Sequence, residues 1–300
     1  MAAKNIDIIP AHKINPEKWN ACIDSSNAPL IYAHTFYLNN LADNWHGIVM
    51  NDYEAVLPLP WRKKFGIRYT YDVPFIQQLG CFSKDNQHHD LLTKHLFRFC
   101  KYGDYYFNFS NKISNSIQFT NYVIDLSKTY AFIAAAYNED LRNNLKKANK
   151  QSILYAEADY NTAIELYKDL YHQRIKNLTG KDFERFEKLC DYLSVANNVI
   201  VRKVTNTNSE MLSIALLLKD KHRFYNLMNS TTEAGRKTEA NHFLYDNIFK
   251  EFAETQMLFD FEGSDIPGVK SFYEKFGAVN QPYCKLHFNH LPFPLNQLKR

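Results

Sequence analysis

The 300-residue sequence predicts an α+β fold of two units with like topology, and three observations predict it. Its length allows one large domain or two, with roughly three quarters of the unfolded surface buried. Tyr and Phe together number 42, which favours strands, and the strand candidates fall into two groups. Each group is followed by one amphipathic helix and one further strand. That order suits mostly antiparallel sheets flanked by helices, not a doubly wound fold.

In the N-terminal half the strand candidates are Gly47–Met50, Glu54–Pro60 and Tyr69–Val73, with Asn51 and Asp52 as a polar break suited to a hairpin. A helix follows from about Asp90 to Lys101, where Leu92, Leu96, Phe99 and Cys100 form one stripe. It leads into the strand Tyr105–Phe109. Between the halves lie a Lys- and Asn-rich stretch, Glu139–Lys150, and two helices. Ile164, Tyr167, Leu170, Tyr171 and Leu178 mark the first; Phe183, Phe186, Leu189, Cys190 and Leu193 mark the second. Thr179 and Asp182 fit a capping box at the break between them.

The C-terminal half runs through the same order: Val199–Val204, Leu212–Leu218, Phe224–Met228, a helix from about Glu239 to Glu254, and the strand Leu258–Phe261. A gapless shift of 152 residues lays Leu92 on Leu244, Leu96 on Ile248, and Phe107-Asn108-Phe109 on Phe259-Asp260-Phe261. We read this as a diverged internal duplication, with the units expected at 1–128 and 129–300.

Hydrophobic residues at 45% and charged residues at 23%, with 9 Gly and 10 Pro, exclude a collagen-like or mostly disordered chain. The longest apolar runs reach about a third of the ~20 residues a membrane-spanning helix needs. Asp7 and Pro10 interrupt the place where a signal peptide would carry its apolar run, so the cytoplasm is the expected compartment. Cys22, Cys81, Cys100, Cys190 and Cys284 are scattered, as buried thiols would be. No metal is expected: His88-His89, and Cys284 with His287 and His290, lack ligand spacing. The net charge of +4 is too small for a nucleic-acid footprint by itself. Trp61-Arg62-Lys63-Lys64 and Lys146-Lys147-Ala148-Asn149-Lys150 are local basic clusters that suit either a phosphate-bearing ligand or a solvated face.

The segment Phe272-Tyr273-Glu274-Lys275-Phe276-Gly277-Ala278 resembles the (L/F)-Y-x-K-x-G-(F/A) stretch in the last helix of GNAT-type N-acetyltransferases. Leu141–Ala148 opening the second unit, and Asp260-Phe261-Glu262-Gly263-Ser264 ahead of the last helix, make the whole similar to the tandem, FemAB-type peptidyltransferases. That resemblance implies two tandem GNAT-like domains moving an acyl or aminoacyl group onto an amine of a small molecule or cell-envelope precursor. The donor stays open between acyl-coenzyme A and aminoacyl-tRNA. GNAT enzymes that use coenzyme A carry (Q/R)-x-x-G-x-(G/A) at the crossover helix's start; here the run is Arg236-Lys237-Thr238-Glu239-Ala240-Asn241. A carboxylate in place of the first glycine would repel phosphates and block close backbone approach. A scaffold without its phosphate loop could also be a binding or assembly protein with no turnover.

Acyl transfer to an amine needs a proton acceptor for the nucleophile, donors for the carbonyl and an acid for the leaving group. The resemblance implies Tyr273 as that acid, the alternative being a packing tyrosine. Glu262 and Asp260, two apart, would share one strand face if the strand continued, one as base and the other holding substrate, or both would be a plain solvent-facing strand end. Asn229 and Ser230, with Thr231 and Thr232, offer donors where the strand opens towards the helix, or form a polar loop. Gly235, Arg236 and Lys237 suit a phosphate or carboxylate. Lys270 and Lys275 could also contact phosphates.

Overall fold

The computed structural model describes residues 5–85, 87–171, 178–263 and 265–298. The chain divides into two compact units, one of Met1–Phe119 with Pro282–Arg300, the other of Thr120–Gln281. The α+β class holds in both, with antiparallel pairing dominant.

Unit 1 starts with β1 (Ile6–Pro10), α1 (Pro16–Asp24), α2 (Thr35–Leu41), β2 (Trp45–Met50) and β3 (Ala55–Pro60). The expected hairpin joins β2 to β3, with Asn51 and Tyr53 left-handed in its turn. Then come β4 (Arg62–Lys64), β5 (Ile67–Tyr69), β6 (Phe82–Ser83), α3 (His89–Phe99), β7 (Tyr102–Phe107) and β8 (Ile117–Phe119). Of the strand expected over Tyr69–Val73 only Tyr69 is in β5, and residues 70–73 lie in no strand. One sheet has the order β1-β2-β3-β6. Its core gathers Trp19, Tyr32, Tyr37 and Phe82, all fully buried, and the Trp19 indole donates to the Ala33 carbonyl at 2.8 Å. Such a donor has to be bonded to be buried.

Unit 2 comprises β9 (Tyr122–Asp125), α4 (Tyr130–Ala135), α5 (Glu139–Ala148), β10 (Ile153–Glu157), α6 (Tyr160–Tyr171), α7 (Gly180–Ser194), β11 (Val199–Asn206), β12 (Met211–Lys219), β13 (Arg223–Thr231), α8 (Glu233–Lys237), α9 (Ala240–Phe252), β14 (Leu258–Asp260), α10 (Pro267–Glu274) and β15 (Val279–Asn280). The Lys- and Asn-rich stretch is α5, capped by Asn138 with acids in its first turn and lysines in its last, as the helix dipole favours. Thr179 and Asp182 form the expected capping box of α7. The sheet order is β10-β11-β12-β13-β14-β9-β15, and only β13 and β14 run parallel. Both α6 and α9 pack on β12, so its centre reads as an almost unbroken apolar run. The core is aromatic: Tyr245, Phe249, Phe259, Phe261 and Phe276 interlock at ring separations of 5.0–6.2 Å.

The last strand, β16 (Tyr283–Asn289), returns to unit 1 and completes a second sheet there, β4-β5-β7-β16-β8. The division therefore differs from the expected one near residue 128. β9 precedes that point yet pairs with β14 in unit 2, and β16 lies far beyond it yet pairs with β7 in unit 1. A shift of 152 residues carries α9 onto residues 88–100, where α3 lies at His89–Phe99. In each unit the strand after that helix has one parallel neighbour and one antiparallel one.

Candidate active site

The opening in unit 2 originates in β13. Its pairing with β14 covers Arg223–Tyr225 only, so from Asn226 onwards that edge has no strand beside it among the described residues. On the other side the register with β12 slips, Leu216 facing Met228 and Leu217 facing Asn226, which leaves Leu227 without a partner. A bulge of this kind frees backbone groups and re-aims side chains. Asn226 is 5% exposed, and its side-chain carbonyl oxygen has no hydrogen-bond partner among the described residues. Its amide donates to the buried hydroxyl of Tyr245, whose pKa burial raises far above the ordinary value. A buried acceptor left open in this way calls for a partner such as an ordered water, an ion or a ligand group.

Tyr273, on α10, stacks on Phe261 with ring centroids 4.3 Å apart. Burial pushes the pKa of its hydroxyl up, with the charges of Glu262 and Asp260 and the neighbouring Tyr167 adding to the rise. Tyr245 interacts electrostatically with Tyr273 and with Tyr171. Two tyrosines of α6, one of α9 and one of α10 thus lie within electrostatic reach of one another. The tyrosine stripe on α6 was legible in the sequence only as a packing face; Asn226, between Tyr225 and Leu227 in an apolar strand, was the signal that was missed.

Several expected site residues have other employment. Asp260 is fully buried and paired with Arg223. It also accepts from the Asn121 amide at 3.1 Å and from the Glu262 backbone N–H at 2.9 Å. A carboxylate with those partners is a structural anchor, so Asp260 is corrected from base or substrate ligand to the buried half of an ion pair. The strand ends at Asp260 and Glu262 is left-handed at φ 63°, so the two do not share a strand face. Asn229 and Ser230 belong to β13 and not to a loop. The Asn229 amide donates to the Ile214 carbonyl at 3.2 Å and to Asn241 Oδ1 at 2.9 Å. The Ser230 hydroxyl is buried without a partner among the described residues.

The expected anion site at Gly235, Arg236 and Lys237 is occupied from within. The Gly235 N–H donates to Thr232 Oγ1 at 3.0 Å, Arg236 donates to the Thr231 carbonyl at 2.7 Å, and Lys237 pairs with Glu233 at 2.7 Å. A Cβ on Gly235 would lie 2.0 Å from the Leu212 carbonyl oxygen, so this glycine serves the close approach of α8 to β12. The crossover helix begins one residue later than expected: Glu239 is its left-handed N-cap residue, and its carboxylate meets His242 Nδ1 at 3.0 Å. Lys275 pairs with Asp140 at 2.5 Å and holds that carboxyl below its ordinary range. Lys270 is half-buried on α10, and Ser264 lies outside the described residues.

A helix-flanked, antiparallel-dominated α+β fold with a parted strand pair is the class this arrangement defines. No family model and no curated sequence matches the chain. Among solved structures it is similar to FemX, at 14% identity over 99% of both chains with a TM-score of 0.65. It is also similar to L-PGS from Bacillus licheniformis, at 12% identity over 95% of each chain with a TM-score of 0.52. A C-terminal domain described as that of a lysylphosphatidylglycerol synthetase from Agrobacterium fabrum follows, at 11% identity over 93% of this chain and 95% of that one, TM-score 0.53. The likeness is one of fold.

Proposed function

We propose that unit 2 is a FemAB-like acyltransferase that moves an aminoacyl group from aminoacyl-tRNA onto an amine of a small or cell-envelope acceptor. The observation that carries this reading is the open acceptor of Asn226 beside the Leu227 bulge, with Tyr273 in electrostatic reach of Tyr245, to which the Asn226 amide is bonded. Asn226 Oδ1 would accept from the incoming amine and orient its lone pair towards the donor carbonyl. Glu262 would take the amine proton as the C–N bond forms, and backbone groups at the bulge would receive the developing oxyanion. As the ester C–O bond breaks, Tyr273 would give its proton to the leaving oxygen. A phenol whose pKa is pushed up stays protonated at neutral pH and so can act as that acid.

Glu239 supports the choice of donor. Its carboxylate stands at the start of α9, where it would repel a pyrophosphate, and the Gly235 N–H that could receive one is already bonded to Thr232. The name lysylphosphatidylglycerol synthetase, borne by neighbours in fold, also speaks for an aminoacyl group. The test is a transfer assay with labelled aminoacyl-tRNAs and acyl-coenzyme A over a panel of amine acceptors. Transfer from aminoacyl-tRNA, lowered about 10²-fold by Tyr273→Phe at unchanged stability, is expected. Transfer from acyl-coenzyme A alone would overturn the donor; none from any donor would leave a binding protein.

A further inference from the structure

Unit 1 carries an apolar, cation-rimmed projection that its own packing does not explain. The β4–β5 hairpin turns at Phe65 and Gly66, both left-handed, with φ of 50° and 81°. Glycine and asparagine suit such a turn, whereas a bulky aromatic at positive φ is strained. Phe65 gains no burial in exchange, for it is 92% exposed. Beside the tip an open groove of about 550 Å³ is lined by Lys64, Phe65, Ile67 and Tyr69 from the hairpin and by Leu291 and Leu295 from the end of the chain. Phe293, between those leucines, is 76% exposed.

The charges are as unbalanced as the apolar groups are uncovered. Lys63 and Arg68 are directly opposite across the hairpin, a like-charge pairing that destabilises a ladder. Among the described residues neither these two nor Lys64 forms an ion pair with a carboxylate. Arg68 instead lies over the Phe99 ring at 4.0 Å, and Lys64 over Phe65 at 5.6 Å. Arg62 is the exception, paired with Asp43 and stacked on Tyr71.

We propose that this hairpin, with the Leu291–Leu295 segment, docks unit 1 on an anionic lipid bilayer, Phe65 and Phe293 entering the acyl region while Lys63, Lys64 and Arg68 meet headgroup phosphates. Charge complementarity selects the occupant. A surface that is apolar inside and anionic at its boundary accepts rings at the tip and cations behind them, with lysine stems covering apolar surface on the way. A nucleic acid would satisfy the cations but leave the leucine-lined groove wet. The inference concerns unit 1 only and stands apart from the transfer chemistry.

Flotation of the full chain with phosphatidylcholine vesicles, with and without about a third phosphatidylglycerol, tests it. Binding to the anionic vesicles alone is expected, declining with added salt. Lys63→Glu with Lys64→Glu should weaken it about tenfold or more, and Phe65→Ser comparably, with melting no lower than the parent's, since the first sets a carboxylate opposite Arg68 and the second relieves the strained ring. Equal flotation on neutral vesicles, or variants that float like the parent, would overturn the proposal. So would a dimer of the parent that Phe65→Ser dissolves, or variants that lose binding to added tRNA while keeping it to vesicles.

Discussion

The two units share the order of sheet, helix and strand, but differ in how they treat the stretch ahead of the helix. In unit 1 that stretch is stitched shut. Leu79 bonds to β7 on both sides, its N–H to the Tyr106 carbonyl at 3.1 Å and its carbonyl to the Asn108 N–H at 3.0 Å. Buried amides seal the rest: Gln78 accepts from the Phe109 N–H at 3.1 Å, and Asn111 accepts from the Cys81 N–H at 2.7 Å. In unit 2 the corresponding strand parts from its neighbour, and the buried oxygens of Asn226 and Ser230 are open. Like topology thus gives a closed strand junction in one case and a parted one in the other, and the difference lies in whether buried polar groups are satisfied internally.

Removing Pro282–Arg300 breaks the comparison most severely. It takes β16 from between β7 and β8, while every strand of unit 2 stays. Hydrogen exchange should show protection lost through the second sheet of unit 1, on the scale of a whole domain's ~5–15 kcal/mol, with β11–β13 still protected. Equal loss in both units would mean that they unfold as one.

Arg223→Met comes next, because it strands the Asp260 carboxylate in a site with no exposure. A cost of about 3–5 kcal/mol is expected by urea titration, and adding Asp260→Leu should restore much of it. A cost near zero would return Asp260 to the pool of available bases.

The smallest effect concerns His242, which is buried against Phe272 at 4.9 Å and beside Glu239, Lys275 and Asp140. Burial lowers its pKa below the ordinary 6.5, opposed by Glu239 and helped by Lys275. The unfolded chain then binds the proton more readily, so the stabilisation is whole above pH 6.5 and fades as pH falls towards the folded value. Melting of unit 2 should decline across that window, and His242→Phe should flatten the decline. A slope unchanged by the substitution would assign it to other groups.

Much of the fold was legible in the sequence because its strands and helices carry strong periodicity. β11, β12 and β13 lie where the apolar runs put them, α3 and α9 where the i+4 stripes do, and Thr179 with Asp182 caps α7 as its spacing indicates. What escaped was pairing. β9 and β16 are not among the strands the apolar runs predict, and nothing local reveals which sheet receives them. The site was half legible for the same reason: Tyr273 is in a recognisable segment, but the value of Asn226 depends on a register slip and an absent neighbour, and the uselessness of Asp260 as a base depends on Arg223, 37 residues away.

The placement of β16 also sets an order of events during synthesis. Residues 120–281 hold every strand of the unit 2 sheet in one continuous stretch, so that unit can close as soon as its own segment has emerged from the ribosome. The N-terminal unit can form its first sheet early, but the second must await residue 289, encoded after the whole of unit 2. Domains generally fold in the order they are translated. Here the later-encoded unit can be complete while the earlier one still exposes the edges of β7 and β8, which makes those edges the vulnerable surface of the nascent chain.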